Sequence, residues 1–156
     1  MGKEIERKFL INENLLPKNI HGEKYIQTYI AITEQGIVRI RTKNEIAILT
    51  IKTSEKGMTR NEFEYEIPIK DAKILIELFN DNIIFKTRYK ITIDKKVWEI
   101  DQFHELNEGL WLAEIELESE NELFDLPKWI KKEVTGNKKY FNAYLSKNPF
   151  KFWDDE

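Results

Sequence analysis

The sequence predicts a mainly β (α+β) fold, an eight-stranded antiparallel closed β-barrel or tunnel with a charged lumen and with helices packed outside. Eight short segments alternate between apolar and charged residues, and most of them are joined by short turns rich in Gly, Asn or Glu. The sign of the charge is sorted by strand, whereas an ordinary solvated face mixes both signs. An ordinary β-sandwich with its charged faces in solvent is the alternative interpretation.

Length and composition are typical of a globular protein, and we expect one domain over residues 1–156 in the cytoplasm. Hydrophobic residues make up 41% and charged residues 34% of the chain, and no apolar run approaches the roughly 20 residues of a membrane helix. The N-terminal region lacks a secretory apolar stretch. A net charge of −3 gives no indication of nucleic acid or a membrane surface as a partner.

Cysteine and histidine usage limits the chemistry of any site. The chain has no cysteine, which excludes disulfides, thiolate metal sites and cysteine nucleophiles. Its only histidines are His21 and His104, so a metal site would have to be built from carboxylates. Carboxylate oxygens suit hard cations such as Mg²⁺, Ca²⁺ or Mn²⁺.

The first half of the chain contains five predicted strands. They cover residues 4–9, 25–32, 37–42, 46–53 and 60–67. Successive side chains of a strand point to opposite faces, so four of these strands each have a polar or charged face. These faces carry Glu4, Glu6 and Lys8; Arg39 and Arg41; Thr50 and Lys52; and Glu62, Glu64 and Glu66. In the second strand, Tyr25, Gln27 and Tyr29 share a face.

The second half of the chain begins with a helix and returns to strands. Pro68 ends the fifth strand, and the apolar spacing from Asp71 to Phe79 is helical. Strands follow at 84–93, 97–103 and 112–118, with charged faces of Lys86, Arg88 and Lys90; Glu99 and Asp101; and Glu114, Glu116 and Glu118. Helices are predicted at residues 127–132 and 138–145, before an aromatic end of Phe150, Phe152 and Trp153.

Sorting of charge by strand favours placing the charges inside the barrel. Like charges two residues apart repel, and this costs stability unless a group of opposite sign lies between them. A divalent cation would suit the acidic strands and a polyanion the basic ones. An eight-stranded barrel has room for side chains or one small ligand. The opposite faces would then form an apolar outer layer under the helices, with Ile5, Phe9, Val38, Ile40, Leu49, Ile51, Phe63, Tyr65, Trp98, Ile100, Ile115 and Leu117.

The charged motifs occur in a distinctive order along the chain. They are Glu4-x-Glu6-x-Lys8, Arg39-x-Arg41, Thr50-x-Lys52, Glu62-x-Glu64, Lys86-x-Arg88, Asp101, Glu114-x-Glu116 and Glu133-Val134-Thr135-Gly136. This set resembles the CYTH superfamily of triphosphate tunnel metalloenzymes, essentially end to end. The N-terminal motif is similar to that of short bacterial inorganic tripolyphosphatases. Gly136-Asn137-Lys138-Lys139-Tyr140 departs from the family's Gly-Asp-x-Arg-Tyr, and since lysine lacks the fork of arginine, we expect looser anchoring there.

The resemblance implies hydrolysis of a linear triphosphate in the tunnel with Mg²⁺ or Mn²⁺. The substrate would be inorganic tripolyphosphate, with nucleoside and thiamine triphosphates as further candidates. The predicted metal ligands are Glu4, Glu6, Glu62, Glu64, Asp101, Glu114 and Glu116, and the predicted substrate-binding residues are Lys8, Arg39, Arg41, Lys52, Lys86 and Arg88. Glu62 and Glu64 are also candidates for orienting the attacking water, and Tyr29 is a candidate proton acceptor, although a packed, hydrogen-bonded phenol is the commoner role for such a tyrosine.

Two other functions are compatible with the same strands. A class IV-type adenylate cyclase of this fold would need residues that orient a ribose hydroxyl and a base, and none is identifiable in the sequence. A non-catalytic polyphosphate-binding module would keep the basic strands without needing six or more lumen carboxylates, so the carboxylates favour an enzyme. The number of metal ions and the formation of a homodimer are left open.

Overall fold

Nine β-strands and two α-helices are found in the computed structural model, which describes residues 2–54 and 56–154. The strands are β1 (Gly2–Ile11), β2 (Gly22–Ile32), β3 (Gly36–Lys43), β4 (Ile46–Thr53), β5 (Thr59–Ile67), β6 (Ile83–Ile93), β7 (Lys96–Phe103), β8 (Trp111–Glu116) and β9 (Ile130–Glu133). The helices are α1 (Ile69–Leu78) and α2 (Asn142–Lys147). Neither helix of the described chain is long and apolar enough to cross a membrane.

Strands β1 to β8 close into an antiparallel barrel in the order β5-β4-β3-β2-β6-β7-β8-β1, and β5 pairs with β1 to complete the ring. The predicted eight-stranded barrel is therefore confirmed. One edge of β1 pairs with β8. The other edge pairs first with β5, where Gly2 faces Glu62, and then with β9, where Leu10 faces Lys132.

The prediction of a helix over residues 127–132 is wrong, because Ile130–Glu133 forms strand β9. Strand β5 covers only the first residues of β1, and β9 supplies backbone hydrogen-bond partners to the edge that continues beyond it. The helix predicted at 138–145 is also displaced. Residues Lys138–Tyr140 form a 3₁₀ turn, Phe141 is extended, and α2 starts at Asn142.

Cross-strand pairing brings oppositely charged positions together on the inner face. Lys52 lies opposite Glu62, Lys8 opposite Glu114, and Arg88 opposite Asp101. Facing residues of paired strands lie on the same side of the sheet, so the alternation read from the sequence orients each charged face correctly. A bulge after Tyr29 shifts the register of β2, and Ile32 consequently joins the lining of the lumen.

The outer apolar layer is only partly covered by helices, which corrects the sequence prediction. Helix α1 has 10 residues and spans about 15 Å, and its Ala72 packs with Ile40 and Ala47. On the opposite side, non-helical residues Phe124 and Trp129 pack on Trp98. Three outer-face residues remain 38–49% exposed, namely Ile51, Phe63 and Tyr65.

Candidate active site

The lumen of the barrel encloses a cavity of about 880 Å³, and all eight barrel strands contribute to its lining. Such a volume is typical of a small-molecule site. Thirteen of the fourteen predicted site residues line it: Glu4, Glu6, Lys8, Tyr29, Arg39, Arg41, Lys52, Glu62, Glu64, Lys86, Arg88, Glu114 and Glu116. Asp101 is not among the lining residues and lies in the barrel wall, 2% exposed.

Lys52 of β4 lies between two carboxylates and pairs with both, near the junction of β1 and β5. Its Nζ lies 3.0 Å from Glu4 Oε1 and 3.4 Å from Glu62 Oε2. Both lysine and Glu4 are buried. One ammonium group therefore compensates two acidic side chains that belong to strands predicted to carry the same sign of charge.

Glu6 and Glu114 form a carboxylate pair further along β1 and β8. Burial and the neighbouring Glu114 raise the pKa of Glu6 well above its usual range. Burial would also raise the pKa of Glu114, but the charges of Lys8 and Arg88 outweigh it and lower that pKa well below its usual range. Lys8 Nζ lies 3.6 Å from Glu114 Oε1. The pair therefore holds a proton more strongly than a solvent-exposed carboxylate does.

Asp101 binds basic side chains with both carboxylate oxygens. Its Oδ1 accepts from Arg88 Nε at 2.7 Å, while its Oδ2 accepts from Arg88 Nη2 and Lys86 Nζ, each at 2.8 Å. Burial opposes ionisation of Asp101, but the charges of Arg88 and Lys86 prevail and lower its pKa. The geometry therefore gives no support to the predicted role of Asp101 as a metal ligand.

Arg39 and Arg41 of β3 form no ion pair with any described residue. Arg39 Nη2 donates to Thr50 Oγ1 at 3.2 Å, and its buried Nε has no partner in the described chain. Arg41 Nε donates to Gln27 Oε1 at 2.9 Å. Burial and the charges of Arg39 and Arg88 lower the pKa of Arg41 to about 10, so it stays charged at neutral pH. Two adjacent uncompensated cations are suited to binding an anion.

The carboxylates of the cavity have the right chemistry for a hard divalent cation but do not form a closed cage. Within residues 2–54 and 56–154, no cluster of three or more acidic or histidine side chains is close enough to hold a metal ion. Burial and the charges of Glu4 and Glu62 raise the pKa of Glu116, which is the repulsion a cation would relieve. Mg²⁺ is commonly held by one or two carboxylates together with substrate phosphates. The donor set fits that mode of binding.

Several lining residues were missed by the sequence analysis. Arg60, Phe141, Asn142, Lys138 and Lys147 also line the cavity. The ring of Phe141 faces the cations of Lys8 at 5.2 Å and Arg60 at 5.6 Å. The lysines after Gly136 could have indicated a basic surface near the cavity, whereas nothing in the sequence distinguishes Asn142 from an ordinary helix residue.

The segment after Gly136 has contacts of its own where it departs from the family pattern. The side chain of Asn137 accepts from Lys139 N and caps the 3₁₀ turn. Lys139 Nζ lies 4.4 Å over the ring of Trp153. A cation–π contact, rather than a forked hydrogen bond, thus anchors this position.

A closed barrel in which seven of the eight strands direct charged side chains into one cavity defines the chain as a tunnel protein with a charged lumen. The chain belongs to the CYTH domain family, whose model matches residues 2–146. It is 43% identical over 152 residues to an inorganic triphosphatase of Acetivibrio thermocellus, covering 97% of both chains. It is 32% identical over 147 residues to an inorganic triphosphatase of Nitrosomonas europaea, covering 92% of this chain and 96% of the relative.

The similarity to an inorganic triphosphatase extends to the three-dimensional fold. The crystal structure of an inorganic triphosphatase superimposes with a TM-score of 0.68 and is 28% identical in sequence. The match covers 92% of this chain and 97% of that one. The barrel and the segment that follows it are therefore shared over nearly the whole length.

Proposed function

We propose that this protein is an inorganic triphosphatase, which hydrolyses a phosphoanhydride bond of a linear triphosphate inside the barrel with a divalent cation. The uncompensated charges of Arg39 and Arg41 in the lumen are the observation that carries this function. They lie in the same cavity as Glu6 and Glu116, whose pKa values are raised by burial and by repulsion from neighbouring carboxylates. The relatives named inorganic triphosphatase support it.

The basic side chains would bind the phosphate chain. Arg39 and Arg41 are free to donate charge-assisted hydrogen bonds to phosphate oxygens without breaking an ion pair. The other four basic residues already form ion pairs with carboxylates: Lys8, Lys52, Lys86 and Arg88. They would donate hydrogen bonds both to these carboxylates and to the substrate. Binding and charge neutralisation are the main demands of phosphoryl transfer on a protein.

The carboxylates would hold Mg²⁺ or Mn²⁺ and position water. We propose that one or two of the carboxylates of Glu4, Glu6, Glu114 and Glu116 bind the cation, with phosphate oxygens completing its coordination. Glu62 and Glu64 are proposed to orient the attacking water or to bind a second cation. The cation would supply charge neutralisation on the phosphate oxygens.

Tyr29 is better placed as a hydrogen-bond donor than as the predicted proton acceptor. It is 3% exposed, and its hydroxyl oxygen accepts from Gln27 Nε2 at 3.0 Å. An accepted hydrogen bond leaves the hydroxyl hydrogen available for donation. We therefore propose that Tyr29 donates to a phosphate oxygen.

Inorganic tripolyphosphate is the proposed substrate in preference to a nucleotide. Two aromatic rings of the cavity each lie against two cations: Phe141 against Lys8 and Arg60, and Tyr25 against Arg41 and Arg88. A base that stacked on either ring would have to share it with these cations.

An activity screen tests the proposed function. Purified protein would be incubated with tripolyphosphate, ATP or thiamine triphosphate in the presence of Mg²⁺, Mn²⁺ or EDTA. We expect orthophosphate from tripolyphosphate with either metal and none with EDTA. Absence of orthophosphate in every reaction would contradict the enzyme, tight binding without turnover would indicate a polyphosphate-binding module, and cyclic product from ATP would indicate the cyclase.

A further inference from the structure

Two side-chain amides, Gln27 of β2 and Asn142 at the start of α2, connect the barrel wall to the C-terminal segment. Gln27 is fully buried. Its Nε2 donates to Asn142 Oδ1 at 3.3 Å and to Tyr29 Oη at 3.0 Å, while its Oε1 accepts from Arg41 Nε at 2.9 Å. Asn142 Oδ1 also accepts from Lys86 Nζ at 3.0 Å. The amide pair is therefore held at both ends by basic side chains of the cavity.

The chemistry of the partners fixes the orientation of both amides. A guanidinium group has only donors, so the carbonyl oxygen of Gln27 has to face Arg41 and its nitrogen has to face Asn142. Asn142 in turn presents its oxygen to two donors, Gln27 and Lys86. Its Nδ2 forms no hydrogen bond with any described residue, and Asn142 lines the cavity.

We propose that Asn142 is a further phosphate-binding residue, which presents Nδ2 to the bound triphosphate, and that Gln27 is the positioning residue that holds it in this orientation. This inference rests on the proposed triphosphatase function. A neutral amide adds a hydrogen-bond donor to the cavity without adding positive charge to Arg39, Arg41, Lys86 and Arg88. Further positive charge there would increase the repulsion within the cluster.

The contact between the amides can be tested in the absence of substrate. Gln27→Met, Asn142→Leu and the double variant would be compared by thermal unfolding in EDTA. Because both substitutions remove the same hydrogen bond, the Tm loss of the double variant should be clearly smaller than the sum of the single losses. An additive loss would overturn the amide contact. If Gln27→Met fails to fold, Gln27→Glu, which keeps the acceptor for Arg41, replaces it in the cycle.

The phosphate contact is tested by an isosteric exchange. Asn142→Asp keeps an oxygen facing Lys86 and Gln27 but replaces the free N–H donor with a charged oxygen. The Tm of the variant should be no lower than that of the wild type, because the new charge faces Lys86. Its KM for tripolyphosphate should rise about tenfold or more, since about 1.4 kcal/mol corresponds to a factor of ten. An unchanged KM would overturn the assignment.

Asn148→Asp is the matched control, because Asn148 also lines the cavity but its Nδ2 already donates to Tyr144 O at 3.3 Å. Its KM should change by less than about threefold. A rise equal to that of Asn142→Asp would show a general charge effect and overturn the assignment.

If the wild type releases no phosphate, the proposed function fails. Calorimetry with tripolyphosphate then decides the contact, and equal affinity of wild type and Asn142→Asp, or no binding by either, overturns it.

Discussion

Asp101 holds Arg88 in a bidentate ion pair inside the barrel wall, with Nε and Oδ1 separated by 2.7 Å and Nη2 and Oδ2 by 2.8 Å. The side chains are 2% and 8% exposed. Lys86 shares the same carboxylate. A single acidic residue thus fixes the positions from which two basic side chains enter the cavity.

Replacing Asp101 with Asn should destabilise the apoprotein severely. Arg88 would keep its buried charge and lose its bidentate partner, a change that costs about 3–5 kcal/mol of unfolding free energy. The pKa of Asp101 is lowered, so its contribution is present above the unfolded pKa of about 3.9 and is lost only as the pH falls below it. Urea denaturation from pH 5 to pH 8 should therefore show a constant deficit.

Glu133→Gln is the control for Asp101→Asn. Glu133 forms a bidentate pair with Arg7, but the two side chains are 36% and 27% exposed. Its loss should cost no more than about 1 kcal/mol, because exposed ion pairs are screened by solvent. Equal small losses in both variants would show that the Asp101 pair does not organise the wall.

The Glu6→Gln apoprotein should be more stable than the wild type, by a difference that grows as the pH rises. Burial and Glu114 raise the folded-state pKa of Glu6, so the unfolded chain releases this proton first, at about pH 4.3. The folded state binds the extra proton, and the stability of the wild type therefore falls between the unfolded and the folded pKa. Gln does not titrate and can still donate to Glu114. Urea denaturation in EDTA should show an advantage of the variant that grows above pH 4.5, and a constant difference would contradict it.

The same Glu6→Gln variant should lose most of its phosphate release. An amide oxygen is a weaker ligand than a carboxylate for Mg²⁺ or Mn²⁺, and Glu6 is proposed as a ligand. The measurement is orthophosphate release from tripolyphosphate across a titration of each metal. Glu118→Gln, just beyond the end of β8 and outside the cavity lining, should behave as the wild type. Normal turnover of Glu6→Gln at every metal concentration would exclude Glu6 as a ligand.

The barrel was predictable because its information is local. Alternation along each strand sets the face of a side chain, and register follows from short hairpins, so Lys52 and Glu62 could be placed on the inner face from the sequence. Strand β9 was not predictable in this way. The four residues Ile130–Glu133 are too few to show an alternation of apolar and polar residues. They form a strand because the edge of β1 is left unpaired beyond β5.

The site was predictable as a set of residue types and less so as a set of contacts. Charge sorting identified the basic and acidic strands, but it could not show that Asp101 is saturated by Lys86 and Arg88 while Arg39 stays without an acidic partner in the described chain. Which charges pair depends on side-chain reach across the lumen. Gln27 is neutral, and its position between Arg41 and Asn142 is visible only in three dimensions.

Arg39→Ala and Arg41→Ala test the tunnel most directly, through thermal shift against tripolyphosphate concentration, with Ca²⁺ in place of Mg²⁺ if turnover has to be suppressed. The Arg39→Ala apoprotein should be about as stable as the wild type or slightly more stable, because a like charge is removed. In Arg41→Ala the same gain is offset by the loss of the hydrogen-bond donor to the buried Gln27 Oε1. A charge-assisted contact to phosphate is worth about 1.5–3 kcal/mol, or one to two decades in affinity. The ligand-induced shift should fall accordingly in both variants, while Arg7→Ala, outside the cavity lining, should keep the wild-type shift. Unchanged shifts in both variants would show that the lumen does not bind the triphosphate and would contradict the proposed function.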